Sequence, residues 1–306
     1  MKRCFLNERL KNIFLKNRDM RFIKMTGGLG NQMFIYAFYM RMKKHYSNTR
    51  IDLSDMVHYK AHNGYEMHRV FNLPPIEFCI NQPLKKVIEF LFFKKIYERK
   101  QVPSSLVPYD KKYFWPLLYF KGFYQSERFF ADMADDIRKA FTFNPSLSNR
   151  KTKEMSEQID HDENAVSIHV RRGDYLEPKY WKTTGCVCQL PYYLNAIAEM
   201  NKRISQPSYY VFSDDIAWVK ENLPLQNAVY IDWNTGEDSW QDMMLMSHCK
   251  HHIICNSTFS WWGAWLNPRE NKTVIMPERW FRHCETPDIC PDKWIKVPIN
   301  QPDSIQ

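Results

Sequence analysis

The residues best equipped for chemistry are His169-Val170-Arg171-Arg172-Gly173-Asp174-Tyr175, which follow the apolar run from Ala165 to Val170. The run reads as a buried strand, so the paired arginines stand at its tip. A guanidinium fork matches the oxygens of a diphosphate and neutralises them. When a bond between a sugar and a nucleoside diphosphate breaks, the leaving group gains negative charge. A cation held there stabilises the transition state more than the ground state. Asp174 either orients an arginine or serves as a general base. His169 alternates with apolar residues and reads equally as a core histidine or as a ligand contact.

Three further clusters sit where strands give way to turns or helices. In Ser213-Asp214-Asp215 a carboxylate either accepts from the N1–H and 2-amino edge of guanine or caps the helix that begins near Ile216. Asn256-Ser257-Thr258-Phe259-Ser260-Trp261-Trp262-Gly263 brings hydroxyls to a helix N-terminus, where a phosphate docks readily. Asn256 also fits the glycosylation pattern, which a buried strand end disfavours. Gly27-Gly28-Leu29-Gly30-Asn31-Gln32 is neither a GxGxxG loop nor a P-loop, and it reads equally as a tight turn or a ligand loop. Asn31 is expected to cap the helix that follows. Asp160-His161-Asp162 is the one Asp-x-Asp pair, set in a polar stretch. It is read as a solvated loop, which leaves charge neutralisation to the arginines and no metal site.

The elements that must position these residues alternate. Strands are expected at Phe22–Thr26, Arg50–Leu53, Ala165–Val170, Tyr209–Phe212, Val229–Asp232 and His252–Cys255, with Val274–Met276 the last. Helical spacing covers 85–95, 127–140, 192–204, 239–249 and 259–266. Repeated βα units imply parallel sheets covered by helices, and ligands in such folds sit beyond the carboxyl ends of strands. The polar stretch from Asn144 to Asn164 is the best domain boundary. The chain therefore reads as a basic extension over 1–19, one Rossmann-like domain over 20–150 and a second over 151–306.

Composition narrows the partners. The 306 residues carry a formal net charge of +9, which favours anionic ligands, but no nucleic-acid motif accompanies it. The aromatic share is 15%, a surplus that packs cores or lines sugar sites. Eight cysteines lack CxxC or zinc spacing, so a reduced cytosolic chain is expected. No apolar stretch is long enough to span a membrane, whereas residues 1–19 have the make-up of an amphipathic helix on an acidic membrane or of a solvated extension.

Together the glycine, arginine and Asn256–Leu266 segments resemble the α-1,2-fucosyltransferases of glycosyltransferase family 11, from Phe22 to about Pro277. Gly185-Cys186-Val187-Cys188 before Tyr192-Tyr193 is similar to the family's loop after the arginine motif. The resemblance implies an α/β fold of GT-B type, two Rossmann-like domains facing across a cleft. It implies GDP-fucose as donor, inversion at the anomeric carbon and no essential metal or other cofactor. Arg171 would hold the β-phosphate and Arg172 support the nucleotide. One of Asp214 and Asp215 would bind guanine with His169 nearby. Asn256, Ser257, Thr258, Ser260 and Trp261 would line the diphosphate. Gly28, Gly30, Asn31 and Gln32 would close over donor and acceptor from the other domain. The implied acceptor is the 2-hydroxyl of a galactose-containing glycan, in a cytoplasmic enzyme of surface polysaccharide synthesis with room for peripheral contact at the inner membrane face. Residues 1–19 depart from the family's pattern, as an extension or a mis-assigned start. The competing expectations are another GDP-sugar transferase on the same fold and a non-catalytic carbohydrate-binding protein.

Overall fold

The computed structural model describes residues 21–59, 62–74, 96–98, 119–283 and 286–299. The basic start and the helical spacing at 85–95 lie outside them. The described residues fall into two compact units. One draws on residues up to His68 and on Leu73–Ala140, the other on Arg69–Asn72 and on Phe141 onward. Each is α/β with one parallel sheet.

The first unit has a four-stranded sheet in the order β2-β1-β4-β3, with β1 Arg21–Lys24, β2 Thr49–Asp52, β3 Ile96–Glu98 and β4 Tyr119–Lys121; every pairing is parallel. Helix α1, Leu29–His45, follows β1 and buries Met33, Phe34, Ala37, Phe38 and Met42. Its Phe38 stacks on Tyr124, ring centroids 3.8 Å apart, which ties the helix to the chain after β4. The expected helix over 127–140 is broken into two 3-10 turns, Glu127–Phe129 and Ala131–Met133, before α2, Ala134–Ala140.

The second unit is a six-stranded sheet in the order β10-β9-β8-β5-β6-β7, again parallel at every pairing. Its strands are β5 Ala165–Val170, β6 Ser208–Ser213, β7 Ala228–Ile231, β8 His251–Ile253, β9 Val274–Pro277 and β10 Ile295–Val297. Counted from β5 as the first strand, this is the doubly wound order 3-2-1-4-5-6. All six residues of β5 are buried, as a parallel strand with both faces covered requires. Val166, Ile168 and Val170 pack with Tyr192, Tyr193, Ala196, Ile197 and Met200 of α4, Leu190–Arg203. Ala165 packs on the other face with Ile159 of α3, Arg150–His161, and with Leu245 and Met246 of α6, Trp240–His248. Helix α5, Ile216–Asn222, joins β6 to β7, and α7, Thr258–Leu266, joins β8 to β9.

Val274–Pro277 is not the last strand, because Ile295–Val297 adds to its edge in parallel register. The polar stretch from Asn144 to Asn164 carries α3, whose Ile159 is fully buried among second-unit residues. Asp160 and Asp162 are bound up in structure: Asp160 accepts from His248 Nδ1 at 2.8 Å, and Asp162 from the Tyr210 hydroxyl at 3.0 Å. Among the described residues no group of three or more His, Cys, Asp or Glu side chains has metal-binding geometry. No described helix is long and apolar enough to cross a membrane.

Candidate diphosphate site at the strand switch point

In the second unit the chain leaves β5 toward β6 and β7, then returns to the other side of β5 as β8. This reversal is a topological switch point, and open α/β sheets bind ligands beyond the carboxyl ends of the strands that flank it, here β5 and β8. The Arg171–Asp174 turn leaves the end of β5, Ser213-Asp214-Asp215 ends β6, and Asn256-Ser257 leaves the end of β8. One feature of sheet topology thus gathers three segments that lie up to 86 residues apart.

Arg171 is gripped by Asp174 through a two-pronged ion pair. Its Nε donates to Oδ1 at 3.0 Å and its Nη2 to Oδ2 at 2.9 Å. The guanidinium also lies over the Tyr175 ring, 5.1 Å from its centroid. Asp174 takes the side edge of the fork, so two of the five guanidinium donors are used and three remain for a ligand. Arg172 donates from Nε to Asp215 Oδ2 at 3.1 Å and sits 4.1 Å above the Trp218 ring. Its backbone N–H donates to Asp214 Oδ1 at 2.8 Å. Asp215 also caps α5, accepting from Trp218 N at 3.1 Å. Of the two expectations for this pair the structure shows the cap, which is Asp215; Asp214 is the more exposed carboxylate.

His169 is 9% exposed and faces Phe259, ring centroids 5.9 Å apart. Its Nδ1 lies 3.2 Å from Cys255 Sγ. Burial, with the charge of Arg171 beside it, lowers the histidine pKa to about 3. Burial pushes the Cys255 thiol up to about 12, against opposing contributions from the Ser260 hydrogen bond and Arg171. The pair is therefore a neutral imidazole and a neutral thiol at physiological pH. Cys255 was not singled out from sequence. Its position at the end of the His252–Cys255 run was the available signal.

Around α7 the hydroxyls divide. Ser257 is the N-cap and accepts from Phe259 N at 3.3 Å. Thr258 opens the helix and is half-buried, so it stands beside first-turn N–H groups that lack intrahelical partners. Ser260 is buried and donates to the Ser257 carbonyl at 3.3 Å. Trp261 is fully buried, with its indole N–H on the Ile289 carbonyl at 2.8 Å, so the structure puts it in the core, away from any accessible surface. Asn256 is buried too. Its Nδ2 donates to the carbonyls of Thr184 at 2.9 Å and Trp280 at 3.0 Å, which makes it a clasp between loops.

In the first unit the glycine segment lies between β1 and α1, beside the chain that leaves β4. Gly27 adopts φ +85°, a conformation that glycine takes at little cost. Gly28, not Asn31, is the N-cap, and Asn31 belongs to the first turn of α1, which already includes Gly30. The helix starts earlier than the capping pattern suggests because the Gly28 carbonyl accepts from both Asn31 N and Gln32 N. Asn31 Oδ1 accepts from Gln125 Nε2 at 2.8 Å. Gln32 is fully buried and staples the loop, donating to Gly27 O at 2.8 Å and Gly64 O at 2.7 Å while accepting from Glu66 N at 3.0 Å.

Comparison with known proteins bears on the family and the fold. The model of the glycosyl transferase family 11 family matches residues 15–297. An alpha-1,2-colitosyltransferase of Escherichia coli is 33% identical over 292 residues, covering 90% of this chain and 97% of the relative. The human galactoside alpha-(1,2)-fucosyltransferase 1 is 31% identical over 160 residues, 49% of this chain and 43% of that protein. Among solved structures, the NodZ alpha-1,6-fucosyltransferase soaked with GDP-fucose superimposes with a TM-score of 0.50 at 14% identity. That superposition covers 85% of this chain and 95% of NodZ, and it supports the GT-B type fold.

Proposed function

Because the chain belongs to glycosyltransferase family 11, we propose that it transfers L-fucose from GDP-fucose to the 2-hydroxyl of a galactose-containing glycan, with inversion at the anomeric carbon. The observation that carries this reading is the side-on grip of Asp174 on Arg171 at the strand switch point. It fixes the guanidinium while leaving its outer donors to a departing diphosphate. Arg171 supplies the growing charge on the leaving group with a preorganised partner. Asp174 acts as the residue that positions Arg171, since both its oxygens are on that side chain. Arg172, held by Asp215 and Trp218, supports the nucleotide, and the exposed carboxylate of Asp214 faces guanine with His169 nearby. Thr258 and the N-terminal N–H groups of α7 receive the second phosphate, with Ser257 fixing the helix start. Ser260, Trp261 and Asn256 shape this site from behind. In the first unit, Gly28, Gly30, Asn31 and Gln32 form a candidate ligand loop of their own, fixed by the Gln32 staple.

The attacking hydroxyl displaces GDP in one step: the new sugar–oxygen bond forms as the anomeric carbon–phosphate oxygen bond breaks, and the hydroxyl proton passes to solvent or a base. No metal is required by this scheme. The test is incubation with GDP-fucose and a panel of galactose-terminated glycans, with and without EDTA, followed by NMR of the new linkage. An α-1,2 product formed equally in EDTA is expected. No transfer to any member, or a dependence on divalent ions, overturns the scheme.

The colitosyltransferase relative favours a second reading, in which the transferred sugar is colitose, which lacks the 3-hydroxyl of fucose. Competition between the GDP-linked forms of the two sugars decides between them.

A further inference from the structure

The segment after the arginines is built as a closed loop. Asp174–Leu176 is a 3-10 turn, Pro178–Tyr180 a helical turn and Trp181–Gly185 a π turn, a form that recurs at functional sites. Its ends touch: a Cβ at Gly185 would lie 1.8 Å from the Tyr175 carbonyl oxygen, so only glycine fits. The base is pinned by the Tyr175 hydroxyl, which donates to the Asn256 carbonyl at 3.0 Å. The return leg is held by Asn256 Nδ2 on the Thr184 carbonyl and by Arg282 N on the Thr183 carbonyl, both at 2.9 Å. The loop is therefore fixed to the same strand ends that carry Arg171 and Ser257.

Among the exposed charged residues Glu177, Lys179 and Lys182, it also presents large apolar side chains outward. Leu176 is 44% exposed, Tyr180 37% and Trp181 38%. Trp181 is the only exposed tryptophan among the described residues. Lys179 covers the Tyr180 ring at 4.6 Å, whereas no ring or cation of the described residues stacks on Trp181. Exposed Lys182 and Thr183 follow it directly and give the aromatic face a polar rim. An apolar surface edged by a few polar groups is the make-up of a small-ligand site. A pyranose offers the matching chemistry, an apolar C–H face bounded by hydroxyls.

We propose that Trp181 is the stacking platform for the acceptor sugar, a role that rests on the glycosyl-transfer reading above. Stacking on Trp181 orients the acceptor without touching the diphosphate, so the residue governs acceptor recognition and leaves donor binding alone.

The test compares wild type with Trp181→Ala and Trp181→Phe, using lactose as the acceptor probe. Trp181→Ala is expected to raise the lactose KM by roughly 3- to 10-fold, the range of aromatic stacking energies. GDP affinity by calorimetry should stay within about twofold, and Trp181→Phe should keep most of the acceptor affinity. If the alanine variant does not fold, Trp181→Leu carries the same comparison. An unchanged lactose KM overturns the proposal. So does loss of binding to vesicles rich in anionic lipid with an unchanged KM, which assigns the patch to a membrane surface. Saturation-transfer NMR of lactose on the unmutated protein separates the two failures. Lactose contact that Trp181→Ala abolishes, without turnover from either donor, defeats the transfer reading and leaves the sugar platform standing.

Discussion

Arg171 is the residue on which the proposed chemistry turns, and its environment makes the expectation specific. Arg171→Ala should lower transfer by roughly 10²- to 10⁴-fold, as removal of a preorganised transition-state partner does, measured as kcat under donor saturation. Asp174→Asn should lower kcat less, because the amide keeps one contact to the fork, and should leave the pH–rate profile unshifted. A lost acidic limb would instead make Asp174 the base. His169 is held neutral, with its pKa lowered to about 3 by burial and by Arg171. Its ring carbon signals should therefore show no titration between about pH 5 and 8 in NMR. None of these pairings was legible from spacing alone. Arg171 and Asp174 lie three residues apart, and the sequence leaves open whether the carboxylate faces the arginine or the ligand. Cys255 reaches His169 only because β8 pairs with β5, a contact that local pattern does not encode.

Elements were easier to read than contacts. β5, β6 and β7 announce themselves as short apolar runs ended by polar turns, since parallel strands covered on both faces need little alternation. β10 escaped because Ile295-Lys296-Val297 is a short edge strand with one exposed charge. The start of α1 was misjudged for a physical reason. Glycines carry no side-chain cap, so the backbone of Gly28 fixes the start and Asn31 is left free to meet Gln125. The loop from Tyr175 to Gly185 was visible only as a resemblance, because a close approach of Gly185 to the Tyr175 carbonyl sets its shape. Asn256 is the clasp of this region. Asn256→Ala leaves the buried carbonyl of Trp280 without its side-chain donor and unties the Thr184 carbonyl, and should cost about 1–3 kcal/mol of stability in chemical denaturation.

For the whole molecule, the repeated βα pattern predicted parallel sheets, and the second sheet adds an order that sequence does not reveal, with its switch point beside β5. Stability should also carry a pH signature from that unit. Burial raises the Asp242 carboxyl pKa to about 7, against the opposing hydrogen bond from Asn234. The folded state then keeps a proton that the unfolded chain releases near 3.8. This contribution is fully present below about pH 4 and is lost as pH rises toward 7. Asp242→Asn should remove that decline, seen as a flatter difference in denaturation midpoint between about pH 4 and 7. Cys186, Cys188, Cys249, Cys255 and Cys290 are buried thiols outside any disulfide, and all belong to this second unit. Each thiol is shielded while the sheet is intact and becomes open to alkylation once its surroundings loosen. A brief pulse of iodoacetamide in rising denaturant, read peptide by peptide, therefore yields a map of which strands and helices of this half come apart first.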